Sequence, residues 1–239
     1  MPLAPSSLWA VVPVKEIWRS KQRLSDVLFA DERERLVRAM LQDVLQVLVR
    51  VPLGDVVVVT RDGGLGDFAR EWGVEIVAED FEASGEGEGE GDLNAALGVA
   101  AKHLVRTGAG GMLVVPGDVP AVSTQEIEAL IEAHAEAPAV TVVPDRRRGG
   151  TNALAMSPPG LVPFLFGESS FERHVAAARD AGVEPRVLEL PGLQLDVDVE
   201  SDLDDLALSS LGEATADLLR SLGRIIPPAH QLAATKESA

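Results

Sequence analysis

Three aspartates and a cluster of cations are the side chains of this sequence best suited to chemistry on phosphates. Asp118 lies in VVPGDVP (114–120), just past an apolar β-branched run, in a turn whose prolines stop helix and ladder alike. Asp196 and Asp198 lie two apart in LQLDVDV (193–199), so on a strand they face the same side. Carboxylates converging on one crevice form an oxygen-rich set suited to Mg²⁺, which binds through a few carboxylates and keeps nucleotide phosphates as further ligands. A lone D-x-D pair is common on solvated strand edges; its meaning comes from Asp118 and from a cationic loop. That loop is PVKEIWRSKQRLS (13–25), which brings Lys15, Arg19, Lys21 and Arg23 to the end of the first apolar run. Lysine acts there as a point charge and arginine as a planar fork, a combination suited to gripping a triphosphate.

A second group of residues suits a small anion. DRRRGGTNAL (145–154) places Thr151 and Asn152 at a strand start behind a glycine turn, and its Arg146, Arg147 and Arg148 read mainly as a solvated tip. FGESSFERH (166–174) reads as a helix start, where Gly167, Ser169 and Ser170 offer backbone and hydroxyl donors at the positive end of the helix. Simple capping by a serine explains the same pattern. His174 is the histidine nearest a motif, and packing or capping is the commoner role for such a residue. Asn94 in GDLNAAL (91–97) is a candidate for reading a nucleobase or ribose, with helix capping as the competing role. GLGDFA (64–69) matches a dinucleotide fingerprint, but it follows the second strand, and Glu79 and Asp80 come short of the usual spacing of about 20 residues. It reads as a turn into a helix.

The elements that must position these residues alternate strictly. Apolar runs at 8–14, 55–60, 74–80, 111–118 and 139–145 read as strands. Helical patterns near 31–50, 64–72, 92–107 and 123–136 separate them. Buried strands with crossover helices make a mostly parallel α/β sheet covered on both faces, a Rossmann-like architecture whose ligand crevice lies beyond the carboxyl ends of the strands. After residue 150 the pattern predicts NALAMS, VEPRVLEL and LQLDVDV as strands in a small edge-hairpin region, with helices over SFERHVAAARDAG and SDLDDLALSSL. We expect one domain over 8–226. The acidic glycine run 81–92 and a polar tail from 227 to 239 read as disordered.

Composition narrows the function. Among 239 residues, 38 Asp and Glu against 21 Lys and Arg leave a net charge of −17, which repels a polyphosphate backbone and argues against nucleic-acid binding. Cysteine is absent, so thiolate metal sites and a cysteine nucleophile are excluded. No 18-residue apolar run is present and the first residues lack a basic leader region, so we expect a cytoplasmic protein without a membrane partner. No hydrolase triad elbow or Walker A sequence occurs.

In order along the chain, VVPVK with KQRLS, GDLNAAL, VVPGDVP, RRGGTNAL, FGESSFERH and LDVDVESDL resemble the CofC/FbiD guanylyltransferases of coenzyme F420 biosynthesis, from about residue 9 to 208. The resemblance implies a nucleotidyltransferase fold like that of the molybdenum-cofactor guanylyltransferases (the GT-A or MobA-like fold). It also implies transfer of GMP from GTP to phosphoenolpyruvate or 2-phospho-L-lactate, with release of diphosphate. Carried over by motif, Asp118, Asp196 and Asp198 would hold Mg²⁺, and Lys15, Lys21 and Arg23 would hold the triphosphate. Thr151, Gly167 and Ser170 would bind the acceptor. The Glu-Gly run 85–91 and the arginines 146–148 depart from the family's pattern. Related enzymes acting on 3-phosphoglycerate, a sugar phosphate or molybdopterin are the alternatives, as is a non-catalytic nucleotide-binding protein on the same fold. A homodimer and handover of product to the next enzyme of the pathway stay open at this level.

Overall fold

The computed structural model describes residues 2–4, 7–14, 21–78, 90–207 and 211–224. Strands β1 (Leu8–Pro13), β2 (Val56–Thr60), β3 (Glu75–Ala78), β4 (Gly111–Val114), β5 (Ala139–Pro144), β6 (Thr151–Ser157) and β7 (Arg186–Val187) form one sheet in the order β3-β2-β1-β4-β6-β5-β7. Helices α1 (Ala30–Leu48), α2 (Gly63–Arg70), α3 (Glu90–Thr107), α4 (Thr124–Ala133), α5 (Ser170–Asp180), α6 (Glu200–Ala207) and α7 (Glu213–Ser221) accompany it. Successive residues of the central strands divide between two cores, because side chains alternate across a sheet. Val12 and Val58 pack with Leu41, Val44 and Leu45 of α1. Val11, Val57 and Met112 pack with Leu97, Ala100 and Leu104 of α3 and with Ala178 of α5. The predicted sheet, with both faces covered, is therefore present.

The sequence reading fails in two places after residue 150, and both failures matter for the site. NALAMS is no edge element: β6 runs antiparallel between β4 and β5, and every one of its residues is buried. Ala153 and Ala155 pack into one core and Leu154 and Met156 into the other, and ladders on both sides satisfy the backbone over Leu154–Met156. Because β6 alone is reversed between them, its first residues lie at the edge where β4 and β5 end. LQLDVDV pairs in no ladder: Leu193 and Gln194 lie in a turn, and the residues after them form no regular element. Leu193, Leu195 and Val197 are buried in the cores, so the alternation records a segment laid over apolar side chains rather than a sheet strand. VEPRVLEL contributes only the two residues of β7.

A third cluster lies beneath this edge. Leu24 and Leu28 pack with Leu36 and Met40 of α1, with Leu195 and Val197, and with Leu203, Leu206, Leu218 and Leu219 of the last two helices. Helix α7 has no counterpart in the sequence reading. Asp43, on the buried face of α1, accepts the Ala214 and Thr215 backbone N–H groups at 3.0 and 2.8 Å and so caps it. Asp62 caps α2 through the Leu65 N–H at 3.1 Å, consistent with a turn rather than a dinucleotide site at GLGDFA. The acidic run 81–92 lies outside the described residues up to 89, and α3 begins at Glu90. The tail from 225 onward also lies outside them. Among the described residues, no helix is long and apolar enough to cross a membrane.

Candidate active site

Lys21, Asp118 and Asp198 meet at the carboxyl edge of the sheet. The Lys21 ammonium Nζ donates to Asp118 Oδ2 at 2.6 Å and to Asp198 Oδ1 at 3.1 Å. Its side chain is 6% exposed, whereas those of Asp118 and Asp198 are 31% and 53% exposed. Burial alone would lower the ammonium's pKa; Asp118 and then Asp198 outweigh it and raise the pKa above its ordinary value. Lys21 also adopts a left-handed backbone, φ 56°, ahead of the short 3₁₀ turn Gln22–Leu24. That conformation is uncommon for a residue with a side chain, and it turns the lysine back over the buried Leu24 towards the aspartates.

The two aspartate segments are fastened to each other and to the helices behind them. The Val197 N–H donates to the Asp118 carbonyl at 3.2 Å. Asp202, in the first turn of α6, accepts the N–H groups of Asp198 and Val199 at 2.8 Å each through Oδ2, while Arg146 pairs with Asp202 at 3.6 Å and Asp205 at 2.7 Å. On the other side, the Gly192 N–H donates to Glu126 of the α4 capping box at 2.6 Å. A Cβ at Gly192 would stand 2.2 Å from the Ala121 carbonyl oxygen, so this close approach requires glycine. Asp202 was not among the sequence candidates. Its signal was present as an acid in the first turn of a helix, four residues after Asp198.

Asp196 points elsewhere. Its Oδ1 accepts from the Asn152 amide at 3.1 Å, next to the start of β6. Burial first, and then Asp118, push its pKa up to about 6, with Asp198 adding to the rise and the Asn152 hydrogen bond opposing it. A folded-state value above the ordinary 3.8 means that the ionised carboxylate opposes folding at pH above about 6. Asp196→Asn should therefore be more stable than the parent at pH 8, by on the order of 2 kcal/mol in urea melts, and this gain should vanish by pH 4. A variant that is less stable at pH 8 would contradict this environment. Among the described residues, no three carboxylate or imidazole groups form a ready metal cluster. The lysine bridges two of the three aspartates, and Asn152 holds the third.

The second predicted cluster also assembles. The Thr151 hydroxyl lies 3.0 Å from His174 Nδ1, which brings the start of β6 onto α5. Ser170, buried at the first turn of α5, donates its backbone N–H to the Gly167 carbonyl at 3.1 Å. Gly167 has φ +121°, a conformation natural to glycine. Asn94 uses both ends of its amide on Phe166, accepting its N–H at 2.9 Å and donating to its carbonyl at 3.1 Å. The group considered for reading a base thus fastens α3 to the loop ahead of α5. Arg23 is exposed beside Leu24. Arg146 and Arg148 are engaged with acids, Arg148 with Glu189 and with the Phe171 ring at 4.7 Å. Lys15 and Arg19 lie outside the described residues.

Comparison with known proteins gives the family and the fold. Residues 8–237 match the family described as "Guanylyl transferase CofC like". The phosphoenolpyruvate guanylyltransferase of Rubrobacter xylanophilus is 39% identical over 203 residues, covering 85% of this chain and 95% of that protein. The 2-phospho-L-lactate guanylyltransferase of Methanothermobacter thermautotrophicus is 32% identical over 223 residues, covering 92% of each. A protein of Desulfovibrio desulfuricans G20 described as a nucleotide-diphospho-sugar transferase superposes with a TM-score of 0.70 at 20% identity, over 90% of this chain and 94% of that one. With an α/β nucleotidyltransferase sheet and this match over nearly its whole length, the chain belongs to the CofC-like guanylyl transferase family.

Proposed function

We propose that the protein transfers the guanylyl group of GTP to the phosphate of a small phosphorylated acid, phosphoenolpyruvate in the first place and 2-phospho-L-lactate in the second, and releases diphosphate. A phosphate oxygen of the acid attacks the α-phosphorus; the bond from that phosphorus to the bridging oxygen breaks, and diphosphate leaves with the electron pair. The acid phosphate is already ionised, so no side chain has to act as nucleophile or base. What the protein must supply is alignment and neutralisation of charge, since both reactants are anions. The observation that carries the reading is Lys21 held between Asp118 and Asp198 at the sheet edge where β6 begins, with Asn152 on Asp196 and Thr151 against His174 of α5.

The cluster suits a divalent cation. Its donors are hard carboxylate oxygens, and the Lys21 ammonium already stands where a cation would be shared between Asp118 and Asp198. We assign Mg²⁺ to Asp118 and Asp198, with Asp196 close behind them; when bound, the ion would neutralise the phosphates and fix their geometry. Lys21, displaced towards the nucleotide, would join Lys15 and Arg23 on the triphosphate. Thr151, Gly167 and the start of α5 would receive the acid.

The test is diphosphate release measured with each component left out in turn. Release should require GTP, Mg²⁺ and a phosphorylated three-carbon acid together. Equal release without any acid would indicate a hydrolase and overturn the reading.

A further inference from the structure

His174 is almost wholly enclosed, and each of its ring nitrogens has a defined partner. Nε2 lies 3.0 Å from the Leu165 backbone nitrogen, which can only donate. Nε2 must therefore accept, and a neutral imidazole then has its single proton on Nδ1. That proton faces the Thr151 hydroxyl oxygen, 3.0 Å away, and the Ser170 backbone, which shares it. Thr151 cannot donate into a nitrogen that is already protonated, so its oxygen accepts and its own hydrogen remains to be given elsewhere. The Phe166 ring meets the imidazole edge-on, with centroids 4.9 Å apart, and Asn94 clamps Phe166 on its other side. Burial, with Arg173 adding, keeps the ring neutral near pH 7, against a hydrogen bond with the Ser170 backbone.

Resting on the acceptor site proposed above, we infer that His174 is a positioning residue that sets the polarity of Thr151, turning its hydroxyl into a donor aimed at the carboxylate or phosphate of the incoming acid. The same imidazole holds the Leu165–Phe166 backbone that leads into Gly167 and Ser170. One side chain therefore ties together the two halves of the acid pocket, β6 and the start of α5, without touching the acid itself. The buried histidine of FGESSFERH thus has two polar tasks: it accepts the Leu165 N–H and it donates towards Thr151.

Two measurements test the inference independently. Side-chain ¹⁵N NMR of the intact protein should show a single neutral tautomer at pH 7, with the proton on Nδ1. An Nε2-protonated ring or an imidazolium would overturn the proposal whatever reaction the protein catalyses. In steady-state kinetics, His174→Phe should raise the KM for phosphoenolpyruvate about tenfold or more and leave the KM for GTP within about twofold. Thr151→Val should do the same in the parent but add little in the His174→Phe background, because both changes remove one coupled donor. His174→Asn, whose amide can still donate near the Nδ1 position, should recover part of the loss. Additive effects of the two single changes, or equal losses for GTP and the acid, would overturn it. Should His174→Phe fold poorly, as judged by its circular dichroism, the His174→Asn comparison and the tautomer measurement decide the matter. If GTP and phosphoenolpyruvate give no turnover in the parent, the functional reading fails and the tautomer result still judges this inference.

Discussion

Asp118→Asn should reduce turnover by at least roughly 10²-fold while leaving the fold intact, because a neutral amide cannot balance the charge that a metal–phosphate centre gathers in the transition state. The side chain is 31% exposed and lies in a turn past β4, so its loss removes little packing. Lys21 would retain Asp198 as a partner at 3.1 Å, which limits the damage to the resting structure. Asp198→Asn should behave alike, although its greater exposure makes the structural cost smaller still. The measurement is kcat with GTP, Mg²⁺ and the acid, accompanied by circular dichroism. Near-normal turnover in both variants would remove these carboxylates from the reacting centre.

The second large effect is expected at Lys21. Its ammonium is the cation between two carboxylates, and its side chain is nearly enclosed. Lys21→Met removes the ammonium that Asp118 and Asp198 share, and it also removes a positive group from the path of the triphosphate. Turnover should fall by roughly 10²-fold or more, and the KM for GTP should rise. Stability should fall by on the order of 1–3 kcal/mol, below the figure for a fully buried pair because both aspartates are partly solvated. Excess Mg²⁺ should restore part of that stability, since the two carboxylates then gain another cation. Lys21→Arg should not rescue activity, because a planar fork cannot replace a point charge that two carboxylates share in a closed space. A Lys21→Met variant with parental GTP affinity and turnover would make the lysine merely structural.

Much of the site was legible because its residues sit at strand ends. An apolar run that stops at a Pro-Gly-Asp turn marks the edge of an open sheet, and that placed Asp118 and Lys21 at one edge, where they pair at 2.6 Å. Thr151 and the helix start at Ser170 were grouped through the family resemblance, and the structure brings Thr151 within 3.0 Å of His174 on that helix. What the sequence concealed depends on long-range partners. The alternation in LQLDVDV is the same whether a segment pairs in a ladder or lies on Leu24, Leu203 and Leu219, so Asp196 and Asp198 were placed on a strand that is not formed. The reversal of β6 is equally invisible, because a fully buried strand reads alike in either direction. Asn94 and Asn152 spend their polar atoms on Phe166 and on Asp196, distant in sequence, and no local pattern announces such partners.

The central claim is that the α-phosphate of GTP is passed to the phosphate of a small acid. The most direct measurement is mass detection of the product after incubation with GTP, Mg²⁺ and phosphoenolpyruvate or 2-phospho-L-lactate, quenched early enough to retain a labile phosphoanhydride. We expect a new species in which GMP is joined to the acid, formed one-for-one with diphosphate and absent when the acid is omitted. GMP and diphosphate alone, or GDP with inorganic phosphate, in place of that species would contradict the account.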